Sequence, residues 1–190
     1  MSEQLDQAID ETDTLMARFR GLLRISELED HQRRAGFVQM DPLPLLGELY
    51  EFYLPLAEEG LITLQLQAPE HLPQLHGDRA LLFEALGNLL SNAIKFTPPG
   101  GRVILRASAQ QGGARVEIHD SGPGIPEAER EAVFKRFYRA ENGQQQHGFG
   151  LGLSIVAAIA SLHGFALAVT NSELGGACLV LDCRQSKALV

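Results

Sequence analysis

The chain has 190 residues, 45% of them hydrophobic and 21% charged, enough for one domain with a buried core plus an appendage. Its 16 basic and 24 acidic residues give a net charge of −8, which argues against nucleic acid as a partner, since neutralising phosphates needs a basic surface. No apolar run approaches the length that spans a bilayer and no secretion signal opens the sequence, so the chain as given is expected to be soluble.

Residues 4 to 28 place Leu5, Ile9, Met16, Phe19 and Leu23 in alternate steps of three and four, with Thr12 and Ser26 at the interrupting positions. This heptad stripe predicts one long helix whose seam a partner covers, a second copy being the natural one. The plainer alternative is a surface helix lying on its own domain. Gly36, Pro42 and Pro44 then break the pattern, and residues 35 to 44 read as a connector. LLGELYEFYLPLAEEG reads as a helix interrupted near Pro55. Over residues 61 to 67, Ile62, Leu64 and Leu66 alternate with Thr63, Gln65 and Gln67, which predicts a half-buried strand. Asp78 is placed to cap a helix of residues 79 to 96 that stops at Pro98 and Pro99.

Strands are expected at residues 102 to 108 and 114 to 120, joined as a hairpin by the turn Gln110 to Gly113, and at 165 to 171 and 177 to 183. A further helix opens between Leu151 and Ser154. The class is therefore α+β: a two-layer sandwich with helices on one face of a mixed, mostly antiparallel sheet, preceded by the long N-terminal helix. Cys178 and Cys183 lie five apart on one strand and so on opposite faces, which predicts two buried free thiols. The six histidines show no HxxxH pairing and no cysteine clustering, so the spacing points to no metal cage.

On the helix of residues 79 to 96, Asn92 falls about 40° and Lys95 about −20° from Asn88, while Leu82, Leu86, Leu89, Leu90 and Ala93 gather between about 100° and 200°. Two amides and an ammonium thus share one edge, which alone reads as a solvated face. HDSGPGIP, residues 119 to 126, puts Asp120 at a strand end with Gly122 and Gly124 after it. The glycines let the backbone pass close to a flat ligand, and the carboxylate suits an exocyclic amino group such as that of adenine. In GFGLGLSIV, Gly148, Gly150 and Gly152 expose backbone donors just before a helix whose positive end favours an anion. A polyphosphate fits this, but the Walker pattern GxxxxGK[ST] is absent.

NLLSNAIKF, DSGPGIP and GFGLGLSIV, in this order, resemble the N, G1 and G2 boxes of sensor histidine kinases, members of the Bergerat ATPase superfamily. FKRFYR, residues 134 to 139, resembles the family's F box. The resemblance implies the Bergerat fold, with ATP and Mg2+ as ligands. It divides the chain into a partial dimerisation region at 1 to 34, a connector at 35 to 44, the ATP-binding catalytic domain at 45 to 185 and a tail at 186 to 190. It makes Asn92 the magnesium ligand, with Asn88 one turn before it and Lys95 near the phosphates. Phe96 borders the base or ribose, Asp120 accepts from the adenine amino group, and Gly122, Gly124 and Ile125 line the base pocket. Arg139 contacts a phosphate, while Gly148, Gly150, Leu151, Gly152 and Leu153 form the hinge and phosphate cradle. Residues 139 to 148 resemble the mobile lid.

In the superfamily's hydrolases the position of Asn88 holds a water-activating glutamate, and an amide is no general base. Glu84 lies on the same edge but a further turn back, too far from the γ-phosphate. Transfer of the γ-phosphoryl group, rather than hydrolysis, is the expected reaction. The family's phosphoacceptor motif is missing; neither His31 nor His147 has its context. The expected acceptor is a histidine on another dimerisation helix, the expected next carrier a response regulator receiver domain, and the expected parent a kinase anchored in the bacterial inner membrane. The third glycine box is thin, with Gly175 and Gly176 followed by Ala177 where the family has threonine or serine. Two other readings stay open: a non-catalytic nucleotide sensor, and an ATPase or protein-serine kinase of the same superfamily.

Overall fold

A computed structural model of the chain describes residues 12, 15–16, 19–28, 36–138 and 150–184. Arg139, Gly148, the rest of the lid stretch 139 to 148, His31 and the tail lie outside the described residues. Residues 19–28 are helical (α1), and the chain continues through β1 (Val38–Met40), α2 (Pro42–Glu59), β2 (Thr63–Gln67), β3 (Leu75–Gly77) and α3 (Arg79–Phe96). Then come β4 (Arg102–Gln110), β5 (Gly113–Asp120), two single-turn 3-10 segments, α4 (Gly152–His163), β6 (Ala166–Asn171) and β7 (Ala177–Asp182).

Asp41 caps α2 by accepting from the Leu43 N–H at 2.9 Å, with Pro42 in the first helical position where its missing N–H costs nothing. The helix thus begins inside the stretch read as connector. It also runs through Pro55 without the expected interruption. Pro55 and Glu51, whose carbonyl loses its helical donor, are both exposed, a position where solvent can offset the lost bond. At α3 the expectation holds: the Asp78 carboxylate accepts from Ala80 N at 2.9 Å and Leu81 N at 3.2 Å.

The main sheet has the order β2-β4-β5-β7-β6, in which only the β2–β4 pair is parallel. With period 2, Leu64, Val103, Leu105, Val116, Ile118, Leu179 and Leu181 point to one face and are buried there beneath α2, α3 and α4. This is the α+β arrangement expected from the sequence. Arg106, Arg115, Glu117, His119 and Cys178 occupy the face the helices leave uncovered. A small antiparallel pair, β1 with β3, was not foreseen, because three residues are too few to display an alternation. It is tied to α4 by His163, whose Nε2 accepts from Asp78 N at 3.0 Å and whose Nδ1 meets Ile159 O at 2.8 Å, with Phe37 stacked on the ring at 4.4 Å. Cys178 and Cys183 are free, buried and on opposite faces; burial pushes the Cys183 thiol up to about 12.

The N-terminal helix has two apolar faces. Ile25 and Leu28 are buried against the domain, and a Cβ on Gly21 would run into the Leu151 side chain at 2.5 Å. Met16, Phe19 and Leu23, the heptad positions, are 45 to 57% exposed.

Candidate nucleotide site

Three sequence-distant pieces meet at the N-terminus of α4. Gly152, its first residue, lies against the α3 edge so closely that an added Cβ would stand 3.2 Å from Asn88 Oδ1 and 3.9 Å from Asn92 Nδ2. The bare backbone therefore brings the positive end of α4 onto both amides. Among the described residues no side chain caps that end, where the first amides of a helix look for an acceptor. Ser154 Oγ instead donates to Leu151 O at 2.8 Å. Just upstream, Gly150 takes φ +68°, where a Cβ would also come 2.7 Å from Tyr138 O. Its carbonyl accepts from Phe137 N at 3.0 Å, which binds the F box to the glycine loop. Leu151 packs beneath Gly21 and Leu153 packs half-buried on the core.

The second wall is Asp120, 5% exposed at the end of β5. Its Oδ1 accepts from Gly122 N at 2.8 Å and Ala177 N at 3.0 Å, while among the described residues Oδ2 takes no bond. The carboxylate is thus saturated by backbone on one side and offered on the other. The third glycine box supplies this geometry: Gly176 N donates to Asp120 O at 3.2 Å, and a Cβ at Gly176 would collide with the carboxylate. Ala177 acts through its N–H, so the missing hydroxyl does not empty the position. Gly122 in turn rests on Phe96, a Cβ there falling 2.7 Å from Phe96 O, and Gly124, at φ +76°, faces Gly176. Lys95 Nζ stands 5.3 Å from the Phe96 ring centre, and Ile125 is half-buried against the core. The α3 edge thus meets the start of α4 at Asn88 and Asn92 and meets Gly122, beside Asp120, at Phe96.

Burial raises the Asp120 pKa above its ordinary 3.8, against the opposing pull of the Ala177 and Gly122 N–H groups. Without a ligand, ionising it costs stability, and that cost grows as pH rises through the raised pKa. A bound amino donor reverses the preference because it favours the ionised form. Nucleotide affinity is accordingly expected to fall on acidification through a midpoint above 3.8, as measured by calorimetric titration with an adenine nucleotide.

Glu84, the one carboxylate on the α3 edge, is held by Arg24 of α1, with Nη2 to Oε2 at 2.6 Å and Nε to both oxygens at 3.2 Å. The pair keeps the Arg24 guanidinium firmly charged and occupies the carboxylate. Asn88 Nδ2 donates to Glu84 O at 3.0 Å. No local pattern in the sequence pointed to Arg24, which lies 60 positions from its partner.

Residues 77 to 186 match the family described as histidine kinase-, DNA gyrase B- and HSP90-like ATPases. The chain belongs to that family. Within it, the relatives are sensor histidine kinases. The histidine-protein kinase/phosphatase MprB of Mycobacterium sp. (strain KMS) is 48% identical over 104 residues, 54% of this chain and 20% of the relative. The alginate biosynthesis sensor protein KinB of Pseudomonas aeruginosa is 30% identical over 174 residues, 91% of this chain and 29% of the relative. The chain thus spans a fifth to about a third of the length of the first curated relatives it matches. Among solved structures, the mycobacterial sensor histidine kinase MprB superposes with a TM-score of 0.66 at 34% identity, covering 79% of this chain and 99% of that one. Full-length ShkA in complex with AMPPNP superposes at 0.74 and 28% identity, covering 93% and 38%. The ATPase fold and the histidine kinase type of catalytic domain expected from the four boxes are thereby established.

Proposed function

We propose that the chain is the ATP-binding catalytic part of a sensor histidine kinase, passing the γ-phosphoryl group to a histidine on a partner dimerisation helix for relay to a response regulator receiver domain. The observation that carries this is the α3 edge: Asn88 stands beside Gly152 and the α4 N-terminus, and the nearest carboxylate, Glu84, is committed to Arg24. With the one carboxylate of that edge held by Arg24, water is poorly activated, whereas a neutral imidazole attacks through a nitrogen that already carries a lone pair. Catalysis then rests on positioning and charge neutralisation.

In this reading Asp120 Oδ2 accepts from the adenine amino group, Phe96 and Ile125 border the base, and the amides of Gly150 to Leu153 face the phosphates. Asn92, helped by Asn88, holds Mg2+, an oxygen-seeking ion that binds chiefly through substrate phosphates and supplies charge neutralisation there. The oxygen of an asparagine amide suits that ion. Lys95 adds positive charge on the same edge; Arg139 and Gly148 complete the cradle as expected from the F and G2 boxes. The exposed Met16, Phe19 and Leu23 stripe supports dimerisation through the N-terminal helix, with the region 1 to 34 as its dimerisation part, a catalytic domain to residue 185 and a short tail. Among the described residues no helix is long and apolar enough to cross a membrane; a membrane-anchored parent is part of the proposal.

Incubation with γ-labelled ATP tests the reading. Label is expected on a histidine-bearing dimerisation domain supplied in trans, and not on this chain alone. Rapid steady release of inorganic phosphate by the isolated chain would replace it with a hydrolase.

A further inference from the structure

Three chemically different donor groups converge on the sheet face that the helices leave uncovered. His119 and Cys178 are register partners on β5 and β7, and Glu117 lies two residues before His119 on the same face. Cys178 Sγ stands 3.6 Å from His119 Nε2 and Glu117 Oε2 stands 4.0 Å from it, with all three donor atoms within 4.8 Å of one another. The histidine spacing in the sequence gave no hint of this, because the ligands come from two strands 59 positions apart.

The thiol and the carboxylate both approach Nε2. A nucleophile relay would put them on opposite ring nitrogens, whereas approach to one nitrogen is the geometry of chelation. A tetrahedral ion with bonds of about 2.3 Å to sulfur and about 2.0 Å to nitrogen separates those two ligands by about 3.5 Å, close to the spacing already present. The Glu117 side chain, 18% exposed, is the most open to solvent of the three.

His163 has partners on both nitrogens, but His119, with an 8% exposed side chain, buries Nδ1 with none among the described residues. Burial and the Arg106 guanidinium hold its pKa down, which favours the neutral imidazole that can ligate. Burial pushes the Cys178 thiol up, and an ion would take the place of its proton. Arg106 is matched by Glu173 at 2.5 Å, while Arg115 holds Glu117 through Oε1 at 3.0 Å and leaves Oε2 on the side of the imidazole.

We propose that Glu117, His119 and Cys178 form a binding site for a thiophilic divalent cation, for which zinc best suits the sulfur, nitrogen and oxygen donors, with solvent as fourth ligand. The ion links β5 to β7 directly behind the nucleotide wall: His119 precedes Asp120, and Cys178 follows Ala177, whose N–H that carboxylate accepts. This site does not depend on the kinase reading.

The test uses the full chain, stripped of metal and titrated with Co2+ as a spectroscopic probe, then with Zn2+. A near-ultraviolet sulfur-to-cobalt absorption saturating at one equivalent is expected, with displacement by zinc and a zinc-dependent rise in Tm. Cys178→Ser is expected to abolish the absorption and Cys183→Ala, on the core face, to leave it unchanged. Glu117→Gln, at a partly exposed position that tolerates substitution, is expected to weaken Co2+ binding at least about tenfold. Absence of the absorption in the native chain, its survival in Cys178→Ser, or undiminished affinity in Glu117→Gln would each overturn the proposal. The last result remains decisive even if Cys178→Ser does not fold.

Discussion

Asp120→Asn is expected to lower the affinity for ATP by about two orders of magnitude while leaving the chain folded. The amide oxygen can still accept the Gly122 and Ala177 N–H groups, now at 2.8 and 3.0 Å, so the junction of β5 with β7 keeps its bonds. What changes is the outward group. Oδ2 becomes an NH2 facing another NH2, so a charge-assisted hydrogen bond worth about 1.5–3 kcal/mol is lost and two donors oppose each other. At about 1.4 kcal/mol per factor of ten, this amounts to roughly a hundredfold. Calorimetric titration measures it, circular dichroism checks the fold, and a keto purine such as GTP should gain relative to ATP. Equal ATP affinity in variant and native chain would remove Asp120 from the base pocket.

Asn92→Ala is expected to slow phosphoryl transfer by at least about a hundredfold, with a much smaller loss of nucleotide affinity. The substitution leaves α3 intact, since alanine is the better helix former and the position is only half-buried on the polar edge. In the proposed reading the base pocket around Asp120 and the backbone amides at the start of α4 hold the nucleotide, and both remain when the Asn92 side chain is cut back. In that reading the amide would hold the metal and so position the γ-phosphoryl group, and loss of one preorganised electrostatic contact in a transfer site costs about 10²–10³ in rate. Single-turnover transfer of label to a supplied dimerisation domain, at saturating magnesium and ATP, separates the two effects. A native rate would show that Asn92 is not the ligand.

The helices and strands that carry the site were legible because each announces itself within one element. Asp78 caps α3 where its side chain can reach the first free amides, and the leucine arc of α3 is the face that the sheet buries. The alternation in β2 and the turn before Gly113 placed strands within a residue or two. Pro55 misled because a proline's cost depends on whether the carbonyl it orphans can reach water, which local sequence does not state. The cysteine pair was read correctly from strand parity alone.

By itself, the sequence determined the α+β class, the polar edge of α3, the turn glycines and the order of the four boxes, since periodicity, caps and glycine placement are properties of short stretches. Only the tertiary structure decided what meets what. Gly152 was readable as a bare residue, but its closeness to Asn88 and Asn92 follows from how α4 crosses α3. That Ala177 serves Asp120 through its backbone, that Arg24 occupies Glu84, and that Glu117, His119 and Cys178 share one patch all depend on strand register and helix docking across 57 to 61 positions. Such contacts are fixed by the packing of whole elements, and no short-range pattern encodes them.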